Sequence, residues 1–357
     1  MIDLRQYGYT ETEVPTDGLI PGRLIEVRRD RYTVVTERGE EPAILTGRFF
    51  HDAGARSERP CVGDFALLRC NEAGASSIVK LLPRHSKFSR ADFSGHAAGY
   101  AKTILEQVVA VNFDYVFIVS SLNWDFKVSR IARYLTQAHK SGAQPVVILT
   151  KADLVNDFDT QAGAVMEAAP GAPVHAVSAR TGFGLGALDE YLRPGKTVVF
   201  LGMSGVGKSS LVNALMEREV AVVKAIRESD SRGRHATTHR QLFMLPSGTM
   251  VIDTPGMREL GLFDADEGIS AGFADVEALF ARCRFGDCRH ESEPGCAALA
   301  ALADGSLTRE RWESYLAQRR ESEFVKGRAD YFAAKKSFLK KVAVRDMQRK
   351  SKKGGEE

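Results

Sequence analysis

The run Gly202-Met203-Ser204-Gly205-Val206-Gly207-Lys208-Ser209 fits G-x-x-x-x-G-K-[ST] at every fixed position. Glycines so spaced let successive backbone N–H groups turn inward onto phosphate oxygens, and a helix starting at the lysine adds its positive end. Lys208 then reaches the β- and γ-phosphates, the Ser209 hydroxyl is a candidate ligand for Mg²⁺, and Ser210 lies beside it. A chance glycine-rich turn needs neither the apolar strand Thr197–Leu201 before this run nor the helical segment Ser209–Met216 after it, and both are present.

Asp253-Thr-Pro-Gly256 ends a second apolar run, Met250–Ile252. An Asp at a strand end beside a phosphate loop can hold Mg²⁺ through a water, and the Gly256 backbone can meet a γ-phosphate and sense its presence. Between the two motifs lies Lys224–Arg240, rich in Arg, His, Ser and Thr and unable to pack as core. It can order around a nucleotide, with Thr237 or Thr238 adding a hydroxyl to Mg²⁺; the sequence leaves open which.

Base identity is written elsewhere. Thr150-Lys151-Ala152-Asp153 resembles the [NT]-K-x-D motif of GTPases, and Ser178-Ala179-Arg180 resembles their S-A-[KR] motif. The Asp153 carboxylate can accept from guanine N1–H and N2–H₂, whereas adenine offers no such donor pair and would leave a buried carboxylate unpaired. The Lys151 stem would cover the ring, and a backbone N–H of 178–180 would meet guanine O6. The expected ligand is therefore GTP or GDP rather than an adenine nucleotide. The order is unusual: the base-reading motifs precede the phosphate loop, and Asp253–Gly256 ends the domain. That is a circular permutation, tolerated where the old termini lie close together.

The positioning elements follow from hydropathy patterning. Tyr115–Leu122, Pro145–Thr150, Pro173–Ala179, Thr197–Leu201 and Met250–Asp253 are apolar runs without alternation, as in strands buried on both faces. Helical segments Ser129–Ser141, Asp159–Ala169 and Ser209–Met216 lie between them, giving a mostly parallel sheet covered on both faces. Upstream, Gly22–Arg28, Tyr32–Glu37, Ala43–Phe50, Val62–Cys70 and Ser77–Leu82 read as five short strands, the size of an OB-fold β-barrel. Arg23, Arg28, Arg29, Arg31 and Arg48 would give that barrel a basic surface. Pro83–Gly99 is polar and reads as a linker. After Phe263 strand signals vanish, and Ile269–Arg282, Leu307–Glu321 and Ala329–Val344 read as helices. The expected fold class is multidomain α/β: a barrel with its linker over 1–90, a circularly permuted P-loop GTPase over 91–264, and a helical zinc-binding domain with a basic tail over 265–350.

Cys283-x₄-Cys288-x-His290-x₅-Cys296 offers three thiolates and one imidazole, a full tetrahedral set for Zn²⁺, or else free thiols, since the spacing is not that of common zinc fingers. Four protein ligands would make the zinc structural. Asp287, Glu291 and Glu293 read as solvent-facing, and Arg282, Arg284 and Arg289 suit phosphate contact or offset thiolate charge. Five cysteines in 357 residues suggest no disulfide framework, and Cys61 and Cys70 read as inert thiols. A net charge of +3 hides nine Lys/Arg against one acid between Lys335 and Lys353, a tail for nucleic acid or a solvated helix. No run of eighteen apolar residues exists and the N-terminus carries no apolar signal core, so a cytoplasmic protein without a membrane span is expected. Nothing suggests a coiled coil, and a monomer is expected.

A barrel, a permuted GTPase and a cysteine-bearing helical tail, in that order, resemble the ribosome small-subunit-dependent GTPase A family (RsgA, also called YjeQ) over nearly the whole chain. The resemblance is carried by the permuted order, Gly233-Arg-His-Ala-Thr-Thr238, Asp253-Thr-Pro-Gly-Met-Arg-Glu259 and the Cys/His cluster. It implies late maturation of the small ribosomal subunit, rRNA binding through barrel and tail, hydrolysis stimulated by the subunit, and contact with other assembly factors. It also implies one structural Zn²⁺ on Cys283, Cys288, His290 and Cys296, since all four match the family's ligands. Ala236 stands where the family usually has another threonine. Met257 follows Gly256 where many GTPases place the glutamine that orients water, so slow unaided hydrolysis is expected, with His235 a candidate to help. Two further functions fit the motifs: a GTPase switch on another translation or tRNA target, and an RNA-binding protein that nucleotide only regulates.

Overall fold

The computed structural model describes residues 1–10, 18–28, 31–47, 49, 56–72, 74–95, 103–123, 126–216, 240–253, 265–324 and 326–327. Five strands come first: β1 (Ile20–Arg28), β2 (Arg31–Thr36), β3 (Gly39–Leu45), β4 (Phe65–Arg69) and β5 (Ser76–Leu81). Each alternates enough to bury one face, and Leu24, Val34, Ala66, Leu68 and Ile78 fill the interior at 0% exposure. The pairings β1–β2, β2–β3, β3–β5, β5–β4 and β4–β1 close the ring, with β3–β5 alone parallel. This is the expected OB-like barrel.

The segment read as a linker is instead a strand, β6 (Lys87–Gly95), paired antiparallel with β7 (Thr103–Val111) in a separate two-stranded sheet. Phe88 explains the difference. It is buried and stacks on Phe113 at 4.9 Å, so a polar segment is anchored by one aromatic ring.

The α/β part contains β8 (Tyr115–Ser121), β9 (Gln144–Thr150), β10 (Val174–Ala176), β11 (Thr197–Leu201), β12 (Arg240–Met244) and β13 (Met250–Asp253). Their order is β10-β9-β8-β11-β13-β12, parallel except for β12. Helix α1 (Val128–Lys140) buries Ile131, Tyr134, Leu135 and Ala138 on one face. Its helical spacing sets these side chains against the sheet. Helices α2 (Asp159–Ala168) and α3 (Lys208–Met216) complete the layers.

β12 also pairs with β1 of the barrel, Glu26 opposite Gln241 and Val27 opposite Arg240, so one eleven-stranded sheet runs through both parts. Arg23 fastens the joint. Expected on a basic surface, it is 1% exposed and donates to Asn112 O at 2.7 Å and Tyr7 O at 2.5 Å, with its guanidinium 4.8 Å over the Phe65 ring. Burial lowers its pKa to about 10, which leaves it charged at pH 7. Arg28 and Arg31 do lie exposed, while Arg29 and Arg48 fall outside the described residues.

The C-terminal part is helical: α4 (Asp266–Gly272), α5 (Ala274–Phe280), α6 (Ala297–Asp304) and α7 (309–324). The helix expected over Ile269–Arg282 is broken at Phe273, which is buried against Tyr315. Gly268 lets α4 lie on α1, for a Cβ there would sit 2.2 Å from Thr136 O. The expected helix Ala329–Val344 lies outside the described residues. Among those described, no helix is long and apolar enough to cross a membrane.

Candidate nucleotide site and metal cluster

Because β8, β9, β10, β11 and β13 run parallel, the segments leaving their carboxyl ends gather along one edge of the sheet, where open α/β folds bind ligands. The phosphate loop leaves β11 there. Gly202 has φ 151°, and a Cβ on it would lie 2.3 Å from Val119 O, so only glycine lets the loop approach β8. The loop then turns through Gly205 and Gly207, both at positive φ, into α3. Lys208 Nζ donates to Gly202 O and Met203 O, both at 2.6 Å, which holds its ammonium across the mouth of the loop. Val206 is buried and Met203 packs on the same apolar cluster, while Ser204 and Gly205 face outward. Ser209 is half-buried in the first turn of α3, and Ser210 is exposed.

The segment after β9 is tied to this loop by two side chains. Thr150 Oγ1 donates to Val206 O at 2.5 Å, and Lys151 Nζ donates to Gly205 O at 2.7 Å. Lys151 itself adopts the left-handed conformation, φ 61°, which sharply turns the chain into Asp153. The segment after β10 meets it from the other side: Ser178 Oγ donates to Asp153 Oδ1 at 2.6 Å and Arg180 Nε to Oδ2 at 2.8 Å. The Ser178 hydroxyl, and after it the Arg180 guanidinium, hold the Asp153 carboxyl below its ordinary pKa. It is an anionic acceptor, ready for paired N–H donors. Sequence reasoning assigned Ser178–Arg180 a backbone role only. The side-chain roles of Ser178 and Thr150 emerge once adjacent strand ends are known to be neighbours.

Asp253 closes β13, its backbone opposite Gln241 of β12. Thr237, Thr238, His235, Gly256 and Met257 lie outside the described residues.

The sulfurs and imidazole of Cys283, Cys288, His290 and Cys296 lie within 4.8 Å of one another. His290 Nδ1 stands 3.6 Å from Cys283 Sγ and 3.5 Å from Cys296 Sγ, and the two sulfurs are 4.0 Å apart. Tetrahedral zinc, with bonds of about 2.3 Å to sulfur and about 2.0–2.1 Å to nitrogen, asks for gaps of about 3.6 and about 3.8 Å. The donor set and its spacing fit. Ala297 N–H, in the first turn of α6, donates to Cys283 Sγ at 3.4 Å, and the His290 ring stacks on Phe280 at 4.0 Å. Glu293 is no ligand. Its carboxylate accepts from the N–H of Arg289 foremost, and also of Glu291 and Ser292, which holds its pKa down to about 2.

Comparison with known proteins decides the family. The family model described as RsgA GTPase matches residues 81–263. A protein of Lactiplantibacillus plantarum named small ribosomal subunit biogenesis GTPase RsgA 2 is 44% identical over 328 residues, 90% of each chain. The chain belongs to the RsgA GTPase family. An RsgA of Streptomyces avermitilis is 42% identical, over 95% of this chain and 88% of that one. The crystal structure of YjeQ from Thermotoga maritima superposes with a TM-score of 0.62 at 26% identity, covering 85% of this chain and 98% of that one. YloQ, described as a circularly permuted GTPase, shares the fold with a TM-score of 0.57 at 23% identity, over 89% and 99% of the two chains. As an RsgA-family member the chain is a circularly permuted GTPase, and its substrate is GTP.

Proposed function

We propose that this GTPase acts in biogenesis of the small ribosomal subunit, as the names of its relatives state for them, and that hydrolysis occurs between the phosphate loop and Asp253. One observation supports the site above all: segments separated by up to 56 residues are cross-linked by Thr150 to Val206 and by Lys151 to Gly205, which sets the Asp153 carboxylate at a fixed reach from the phosphate loop. Asp153 reads the base, with the Lys151 stem over its ring and the N–H groups of 178–180 near O6. The loop N–H groups and Lys208 bind the phosphates. Ser209, Asp253 and Thr237 or Thr238 hold Mg²⁺, which neutralises charge on the phosphates. Cys283, Cys288, His290 and Cys296 hold a structural zinc that staples α5 to α6. The exposed Arg28 and Arg31 of the barrel and Arg282, Arg284 and Arg289 of the zinc unit suit rRNA phosphates. We read the protein as a cytoplasmic monomer that meets other assembly factors on the subunit.

Met257 brings no group able to orient water, so the subunit, or His235 together with it, completes the site. Turnover of GTP by the full chain is expected to be slow alone and to rise at least about tenfold with purified small subunits. Rapid unaided turnover, or equal stimulation by large subunits, would overturn this reading.

A further inference from the structure

We propose that Arg180 is a built-in stand-in for guanine, a donor fork on the Asp153 carboxylate that an arriving base must replace. This rests on the reading of Asp153 as the base acceptor. The N1–C2–N2 edge of guanine is a cyclic guanidine, two coplanar N–H groups aimed in one direction. Arginine is the side chain that carries the same unit. Here its Nε and Nη2 both lie 2.8 Å from Asp153 Oδ2, while Ser178 occupies Oδ1 from within. The oxygen left facing outward is thus already covered by a donor fork like the one a guanine would present.

The exposures make the exchange feasible in one direction only. The Asp153 side chain is 12% exposed and set in the wall by Ser178, whereas that of Arg180 is 74% exposed. The carboxylate stays and the arginine leaves. An ion pair with so exposed a cation is weak and screened by salt. Adenine cannot make this exchange, since its edge offers no pair of donors to replace the two that depart. Arg180 therefore keeps the acceptor covered until a base replaces it, and its displacement disfavours every base that lacks the fork.

Stopped-flow association of ribose-labelled fluorescent GDP with the full chain tests this in wild type, Arg180→Ala and Arg180→Lys. Removing a cation near an anionic ligand should slow association if Arg180 only attracts phosphates. The latch predicts the opposite sign. Arg180→Ala should associate about two- to fivefold faster, and the ratio should fall toward one near 0.5 M salt. Arg180→Lys, which keeps the charge but loses the fork, should also exceed wild type. Association that is unchanged or slower in Arg180→Ala overturns the latch. A wild type that binds labelled ADP as tightly as labelled GDP would instead sink the guanine reading beneath it.

Discussion

The GTPase core is joined to its two neighbours by different kinds of contact. On the barrel side the joint is backbone: β12 pairs with β1, and Arg23 crosses it fully buried, bonded to main-chain oxygens of Tyr7 and Asn112. On the C-terminal side it is made by side chains: α4 lies on α1 at Gly268, the partly exposed Arg133 meets Glu321 at 2.6 Å, and Arg311, its side chain 8% exposed, spans Asp275, Gly272 O and Ala168 O. Each joint borders a segment that the motifs assign to nucleotide sensing. β12 follows 217–239, and α4 follows 254–264. Main-chain ladders break all at once, whereas a partly exposed ion pair such as Arg133–Glu321 adjusts. Asp253, Gln241 and Glu26 stand in one row across β13, β12 and β1. A strain at the Asp253 end of β13 would therefore reach the barrel through the ladder. Within the C-terminal part, Asp266 at the start of α4 is tied to Ser322 and Arg319 of α7 and to Lys326 beyond it.

The contrast is broken most severely through the metal cluster. Chelation, or Cys283→Ser in the full chain, should unfold 265–324 while leaving the barrel and GTPase folded. Structural zinc supplies an apparent binding free energy of about 10–16 kcal/mol in small zinc-finger peptides, more than the aromatic cluster of Phe280, Trp312 and Tyr315 can replace. Limited proteolysis with zinc quantification would show cleavage confined to the C-terminal part with nucleotide binding retained. Loss of the whole fold on chelation would mean the two joints are equally rigid.

A middle-sized effect is expected from Arg23→Ala. It takes a donor from the buried Asn112 O and the half-buried Tyr7 O and opens a cavity under Phe65, costing about 2–4 kcal/mol. Denaturant unfolding followed by barrel and GTPase probes should shift as one transition. Two separate transitions would show that the shared sheet does not couple the parts. Glu321→Gln should cost least, at most about 1 kcal/mol, because the pair with Arg133 is partly exposed and screened. A larger loss would place the C-terminal joint with the barrel joint rather than against it.

Much of this was legible in the residues, for reasons that differ by region. The barrel strands, the phosphate loop, the base-reading turns and the cysteine quartet announce themselves by local pattern, since each needs particular residue types at fixed spacing. Arg23 does not: an arginine among arginines on a strand looks exposed until the partner strand is known. β6 was hidden because it lies in polar sequence and owes its strand to pairing, with Phe88 against Phe113, and β12 because its apolar run, Leu242 to Met244, is only three residues long. The break at Phe273 was hidden because the periodicity of α4 continues almost in phase into α5. The chemistry of Thr150 and Ser178 was half visible. Their positions were marked, but their hydrogen-bond partners lie 56 and 25 residues away in sequence.

The long sheet has one further consequence. At one end it curls into the closed barrel, and at the other it stops at β10, which is three residues long. Among the described residues, the terminal strand of this eleven-stranded sheet is thus too brief to template another chain. The fold gains the span needed to link two modules without the self-association hazard that so many strands usually bring.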